Sequence, residues 1–291
     1  MEWTGVRGKR VLITGATNGI GLAAAGALAG RGARLAIVAR SESRGREAAS
    51  RITAAGGAGA AVDVLLADLA SQASVRRLAA EVLDRYPRLD VLVNNAGAMF
   101  ATRQITEDGI EATWAVNHLA PFLLTTLLLD RLRESAPARI VTTASDAHKG
   151  AHIPFDDLDA RRSYRARGFG RYGESKLANI LFTAELARRL AGTGVTATCF
   201  HPGLVASGFN RNNGPVFSSV MTLLRPFSRS PEKGAETLVW LVDSAEVAGG
   251  SGGYYVDRRP ATPSPAARDM EAAARLWQVS EDQTHAPQLE R

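Results

Sequence analysis

Apolar residues along the chain come in short unbroken runs that alternate with longer stretches in which they recur every third or fourth position. Residues 10–14, 34–39, 61–66, 89–94, 138–143, 195–200 and 254–256 read as strands. Between them, 21–30, 71–86, 109–132 and 172–190 carry helical spacing, and the Ala/Gly-rich piece 54–61 reads as a turn. Strands without polar alternation are buried on both faces, as in a parallel sheet covered by helices. Strict alternation of strand and helix then predicts an α/β fold, a doubly wound parallel sheet of about seven strands with right-handed crossovers. That pattern fills residues 8–257. Beyond it, 258–291 opens with Pro260, Pro263 and Pro265 as a linker and continues as a helix over 266–279.

Composition changes this picture little. The 291 residues are 45% hydrophobic and 22% charged, ordinary for a globular chain. No stretch reaches the ~18 consecutive apolar residues of a membrane helix. The richest run, 119–129, is broken by Pro121, Thr125 and Thr126. Glu2, Arg7, Lys9 and Arg10 leave no apolar leader, so a cytoplasmic protein is expected. The single Cys199 excludes an intrachain disulfide and, within an apolar run, reads as a small buried hydrophobe. A net charge of +6 and the cluster Arg161, Arg162, Arg165, Arg167 and Arg171 raise the question of nucleic acid. No aromatic platform or binding motif accompanies them, so they read as a solvated loop with no nucleic-acid partner. The five histidines lack metal-ligand spacing, and no metal is expected. Residues 249–253 match G-x-S-x-G, but a strand follows instead of preceding them, which makes a turn and not a nucleophile elbow.

Candidate chemistry begins where the first strand ends. Thr14-Gly15-Ala16-Thr17-Asn18-Gly19-Ile20-Gly21 leads directly into an alanine-rich helix. A glycine turn at that junction lets backbone N–H groups approach a pyrophosphate, and the helix dipole adds to the attraction. Tyr172 and Lys176 stand one helical turn apart on the same face. A nearby ammonium favours tyrosinate and lowers the phenol pKa. Ser145 follows the fifth strand, at the end of the sheet where doubly wound folds build their sites. Pro121, four residues after Asn117, has no N–H, so the Asn117 carbonyl loses its helical partner.

The T-G-x-x-x-G-x-G run resembles the coenzyme motif of the short-chain dehydrogenase/reductase family, and further matches follow in order over residues 8–257. They are Asn94-Asn95-Ala96-Gly97, then Asn117, Ser145 and Tyr172-Gly173-Glu174-Ser175-Lys176, then His201-Pro202-Gly203. Val116-Asn117-His118-Leu119, Ser175-Lys176-Leu177-Ala178-Asn179 and Arg275-Leu276-Trp277 are similar to members of the retinol-dehydrogenase type. The resemblance implies a Rossmann-type domain and a catalytic group of Asn117, Ser145, Tyr172 and Lys176. Ala144 stands where related enzymes often carry a second serine. The freed Asn117 carbonyl would hold a water of a proton relay.

Cofactor contacts are implied at Gly15, Thr17, Asn18, Gly19, Ile20 and Gly21, and at Arg40, Asp68 and Leu69. They continue at Asn95, Ala96 and Gly97, at Tyr172 and Lys176, and at Pro202, Gly203 and Val205. Arg40 follows the second strand where an acid would select NAD(H), so NADP(H) is expected, with Ser41 and Arg44 in support and Asp68 at the adenine. The segment 204–227 would form a lid, with Phe209, Val216, Phe217, Val220, Met221, Leu223 and Leu224 lining an apolar pocket. Met99, Phe100 and Phe155 would add to it. A lipophilic aldehyde, ketone or alcohol fits such a pocket. The rivals are a catalytically silent dinucleotide-binding sensor and an epimerase or dehydratase of the extended branch. A homodimer through the helices carrying Asn117 and Tyr172 is the expected assembly, with a monomer as the alternative because related enzymes with a long connection like 146–171 can be monomers, and no membrane span is expected.

Overall fold

The unbroken apolar runs become strands covered on both sides. In the computed structural model, which describes residues 3–57, 59–205 and 228–287, the seven expected strands are β1 (Arg10–Thr14), β2 (Arg34–Ala39), β3 (Val62–Leu66), β4 (Val91–Asn94), β5 (Ala138–Thr143), β6 (Val195–His201) and β7 (Tyr254–Val256). A short eighth, β8 (Arg259–Pro260), was not anticipated. The order is β3-β2-β1-β4-β5-β6-β7-β8, parallel throughout except for the β7–β8 hairpin. That hairpin turns on Asp257 and Arg258, both at positive φ. Such a turn ordinarily announces itself with Asn or Gly, which is why the pattern missed it.

Alternate residues of each strand feed opposite layers. Leu12 joins the layer of α3 (Gln72–Arg85), α4 (Ala112–Glu134) and α5 (Phe169–Arg189). Val11 and Ile13 join the layer of α1 (Gly19–Gly30), α2 (Glu42–Gly56) and α6 (Pro231–Asp243), the last two absent from the sequence reading. Helix α4 is long and apolar enough to cross a membrane, but 89% of its apolar window is buried, so it serves as a core helix. Its second turn, Ala115–Leu119, is a π-turn in which the Ala120 N–H bonds the Ala115 carbonyl. The irregularity sits immediately before Pro121, where the missing N–H disturbs the regular ladder.

The tail is integrated with this layer. Helix α7 (Met270–Thr284) starts later than periodicity suggested because Asp269 Oδ1 caps it, accepting from the Glu271 and Ala272 amides at 3.0 Å. It buries Leu276 and Trp277 against α4 and α5. Nor are the five arginines one solvated patch. Arg171 is 2% exposed, ion-paired with Glu111 at 2.9 Å and Glu174 at 3.0 Å, its guanidinium 4.4 Å from the centroid of the Trp114 ring. Arg161 and Arg162 pair with neighbouring aspartates.

Candidate active site

Strands β2 and β4 flank β1 on opposite sides, so the connections leaving β1 and β4 diverge and open a crevice at the strands' C-terminal ends. A cavity of about 980 Å³ occupies that place. Every expected cofactor residue lies on its wall, as do Ser145, Met99 and Phe100. Asn117 and Phe155 do not.

One end of the cavity is the glycine turn. Gly15 and Gly19 have φ of +69° and +53°. A side chain at Gly21 would overlap the Gly15 carbonyl and stand 2.5 Å from Asn95 Nδ2, so only hydrogen fits there. No side chain caps α1 and no acid stands in its first turn. The turn is held from β4: Thr14 Oγ1 accepts from the amides of Asn95 and Ala96 at 3.0 Å, and Asn95 Nδ2 donates to the carbonyls of Thr14 and Gly15 at 3.1 Å. Thr143 Oγ1 in turn donates to Asn95 Oδ1 at 3.2 Å. Thr14 opens the glycine motif, whereas Thr143 was not singled out from sequence, since a threonine at a strand end has no distinguishing pattern.

The Thr143 carbonyl leads to the other end. It accepts from Lys176 Nζ at 2.9 Å and Asn179 Nδ2 at 3.2 Å. Burial lowers the Lys176 ammonium to about 8. Lys176 Nζ lies 5.6 Å from the centroid of the Tyr172 ring. Burial pushes the Tyr172 phenol up to about 12, opposed by a hydrogen bond with Ser145. The lowering expected from Lys176 is therefore not what dominates: desolvation outweighs a cation tied to a carbonyl. Ser145 Oγ also accepts from the Ala147 amide at 3.2 Å, fixing the hydroxyl at the strand end. Next to it the Asp146 amide donates to His201 Nδ1 at 3.2 Å, and both residues line the cavity, a contact unmarked in the sequence.

Asn117 stands behind the cavity wall and not on it. Its side chain turns back on the loop after β4, where Oδ1 accepts from the Ala98 amide at 2.7 Å and Nδ2 donates to the Ala98 carbonyl at 2.9 Å. Nδ2 also lies 2.9 Å from Ser175 Oγ. It thus ties α4, that loop and α5 together from behind the wall. Phe155 is drawn away by the tail, with the Arg275 guanidinium 4.2 Å from its centroid. Arg40 and Arg44 are exposed at the rim. The next acid along the chain, Glu42, is paired with Arg46. The expected lid residues Phe209, Val216, Phe217, Val220, Met221, Leu223 and Leu224 lie outside the described residues. Cys199 is buried with its thiol pushed up to about 12, and no cluster of metal-ligating side chains occurs among the described residues.

Comparison with known proteins gives consistent results. The short chain dehydrogenase family profile matches residues 9–156. Retinol dehydrogenase 14 of Mus musculus is 44% identical, over 95% of this chain and 86% of that protein. A Streptomyces protein provisionally assigned as the daunorubicin C-13 ketoreductase DnrU is 45% identical, over 95% of this chain and 92% of its own. Among solved structures, the Pseudomonas aeruginosa RhlG/NADP active-site complex superposes with a TM-score of 0.69 at 29% identity, covering 87% of this chain and 96% of that one.

Proposed function

This chain belongs to the short-chain dehydrogenase family, and from there we propose that it is an NADP(H)-dependent oxidoreductase interconverting a lipophilic alcohol with its aldehyde or ketone. The observation that carries the reading is the Tyr172–Ser145 hydrogen bond on the wall of the same cavity that ends in the glycine turn.

The residues present suit a nicotinamide dinucleotide. The uncapped N-terminus of α1, with no acid in its first turn, suits a pyrophosphate. Exposed Arg40 and Arg44, with Glu42 committed to Arg46, suit a 2′-phosphate. RhlG, a structural neighbour, was solved with NADP, which favours the same choice. When bound, the dinucleotide supplies or accepts the hydride. Tyr172 gives its phenolic proton to the substrate oxygen during reduction and takes it back during oxidation. Ser145 donates to the same oxygen as negative charge gathers there. Lys176 keeps a cation beside Tyr172, and Asn117 holds the loop after β4 in register. Met99, Phe100, Ile105, Val116, Phe169 and Leu204 make the remaining wall apolar, in line with relatives named for retinol and daunorubicin.

Assembly as a monomer, in place of the expected homodimer, belongs to the same reading. Helix α7 packs across α5 and the start of α4, and α4 is buried along nearly its whole length, which among the described residues leaves no open face for a second copy there.

The test is turnover of a panel of lipophilic aldehydes and ketones by wild type and Tyr172→Phe. The variant is expected to lose kcat by at least about a thousandfold and keep NADPH binding, since only the acid–base hydroxyl is removed. A kcat within tenfold of wild type would overturn the assignment, and quenching of bound NADPH without turnover by wild type would favour a silent sensor.

A further inference from the structure

A serine hydroxyl sits one carbon from the backbone, so the place of Ser145 Oγ depends on how the adjoining peptide units are held. The peptide between Ser145 and Asp146 is gripped at both edges by imidazoles. Its carbonyl lies 2.7 Å from His148 Nδ1, and its N–H donates to His201 Nδ1 at 3.2 Å. A peptide unit is planar, with C=O and N–H on opposite edges, so the two contacts together fix its rotation. The hydroxyl it carries accepts from the Ala147 amide at 3.2 Å and shares a hydrogen bond with Tyr172.

Both imidazoles are tied to groups whose roles cannot be exchanged. A carbonyl only accepts, so the proton of His148 is on Nδ1, and its bare Nε2 receives the Ser264 N–H at 3.1 Å. A backbone N–H only donates, so His201 Nδ1 is bare and its proton is on Nε2, which lies 3.8 Å from Asp146 Oδ2. The two rings are thus held in opposite tautomers. Burial lowers both imidazoles below the ordinary histidine value, which keeps them neutral. His148 is 0% exposed and meets the Tyr254 ring edge-on at 5.4 Å, while the Tyr254 hydroxyl donates to Asp146 Oδ1 at 3.0 Å. On its other side the turn 146–148 is pressed onto α5 beside Tyr172, where a Cβ on Gly173 would stand 2.6 Å from the Ala147 carbonyl.

We infer that His148 and His201 are positioning residues that clamp the Ser145–Asp146 peptide and so hold the Ser145 hydroxyl at Tyr172, with the Ser264 amide of the Pro-rich linker selecting the His148 tautomer. The inference rests on Ser145 acting as proposed above. In the other tautomer His148 would turn a lone pair towards the Ser145 carbonyl and an N–H towards the Ser264 N–H, two repulsive contacts in place of two hydrogen bonds.

Amide side chains test the clamp, because they have no tautomer to select. In the full-length enzyme, His148→Asn keeps an N–H at the place of Nδ1. His148→Gln keeps an acceptor at the place of Nε2 and takes the side-chain donor from the Ser145 carbonyl. His148→Gln is expected to lower kcat about tenfold with KM and dinucleotide Kd little changed, whereas His148→Asn stays within about threefold. Because the clamp acts through Ser145, His148→Gln should cost less than about twofold when added to Ser145→Ala. A second tenfold loss there overturns the clamp, since a general loosening of the fold would act in that background too. A readout without substrate is the 15N spectrum of histidine-labelled protein. The chain has five histidines, and the signals absent from His148→Asn and from His201→Asn identify the two. The proton is expected on Nδ1 of His148 and on Nε2 of His201, and the reverse tautomer, or an average of both, at either ring overturns the clamp. If Tyr172→Phe and Ser145→Ala keep their activity while the tautomers are as stated, the proposed function fails and the clamp stands. If Tyr172→Phe is inactive and either tautomer is reversed, the clamp alone fails.

Discussion

Replacing Lys176 with Met is expected to stabilise the protein while abolishing its turnover. Lys176 is 2% exposed, its Nζ bonds the Thr143 carbonyl at 2.9 Å, and burial alone lowers it from 10.5 to about 8. At ~1.36 kcal/mol per pKa unit, carrying the ammonium into the fold costs roughly 3 kcal/mol at neutral pH. Losing the bond to Thr143 returns about 1 kcal/mol, so the net gain is about 2 kcal/mol. For a chain of this size that corresponds to a Tm higher by roughly 4 °C. The sign follows from a folded pKa below the unfolded one. The cost is complete below pH 8, shrinks as pH rises from about 8 towards 10.5, and is absent above. Wild type should therefore approach the Met variant in stability over that interval. Thermal melts followed by circular dichroism at pH 7 and pH 10 measure the difference, on protein free of nucleotide because bound cofactor would add its own stabilisation. A Met variant that melts below wild type at pH 7, or a difference unchanged between the two pH values, would refute the reasoning.

Arg40→Asp is expected to reduce the kcat/KM preference for NADPH over NADH by roughly one to two orders of magnitude, the worth of one charge-assisted contact, and an unaltered ratio would remove Arg40 from cofactor choice. Gly21→Ala forces a methyl group onto the Gly15 carbonyl and to 2.5 Å from Asn95 Nδ2. Dinucleotide Kd from fluorescence titration should then rise on the order of a hundredfold, as for other severe steric substitutions, and an unchanged Kd would mean that the turn does not hold the nucleotide. Light scattering at micromolar concentration should return the mass of one chain, 30.9 kDa; twice that mass would require a dimer built on a different face.

Seven parallel strands, the glycine turn and the Tyr172–Lys176 pair could be read from the chain alone, because each depends on neighbours in the chain. A strand needs only its own apolar run, a phosphate turn needs glycines within one strand-to-helix junction, and two residues four apart share a helix face whatever surrounds them. Pro121 likewise announced an irregular turn in α4. The directions and environments of side chains whose partners lie far along the chain were settled by packing. Asn117 bonds Ala98 and lies behind the cavity wall, Arg171 leaves the surface to meet Glu111 sixty positions away, and Phe155 follows Arg275. The Tyr172 phenol belongs to the same class: spacing predicts the sign of a cation's effect, but desolvation depends on everything packed around the ring, and here it is the larger influence. So does the tail, whose Ser280 meets His118 across 162 positions. Periodicity announces a helix there and is silent on where it docks, since that choice depends on which buried surface the rest of the fold leaves uncovered.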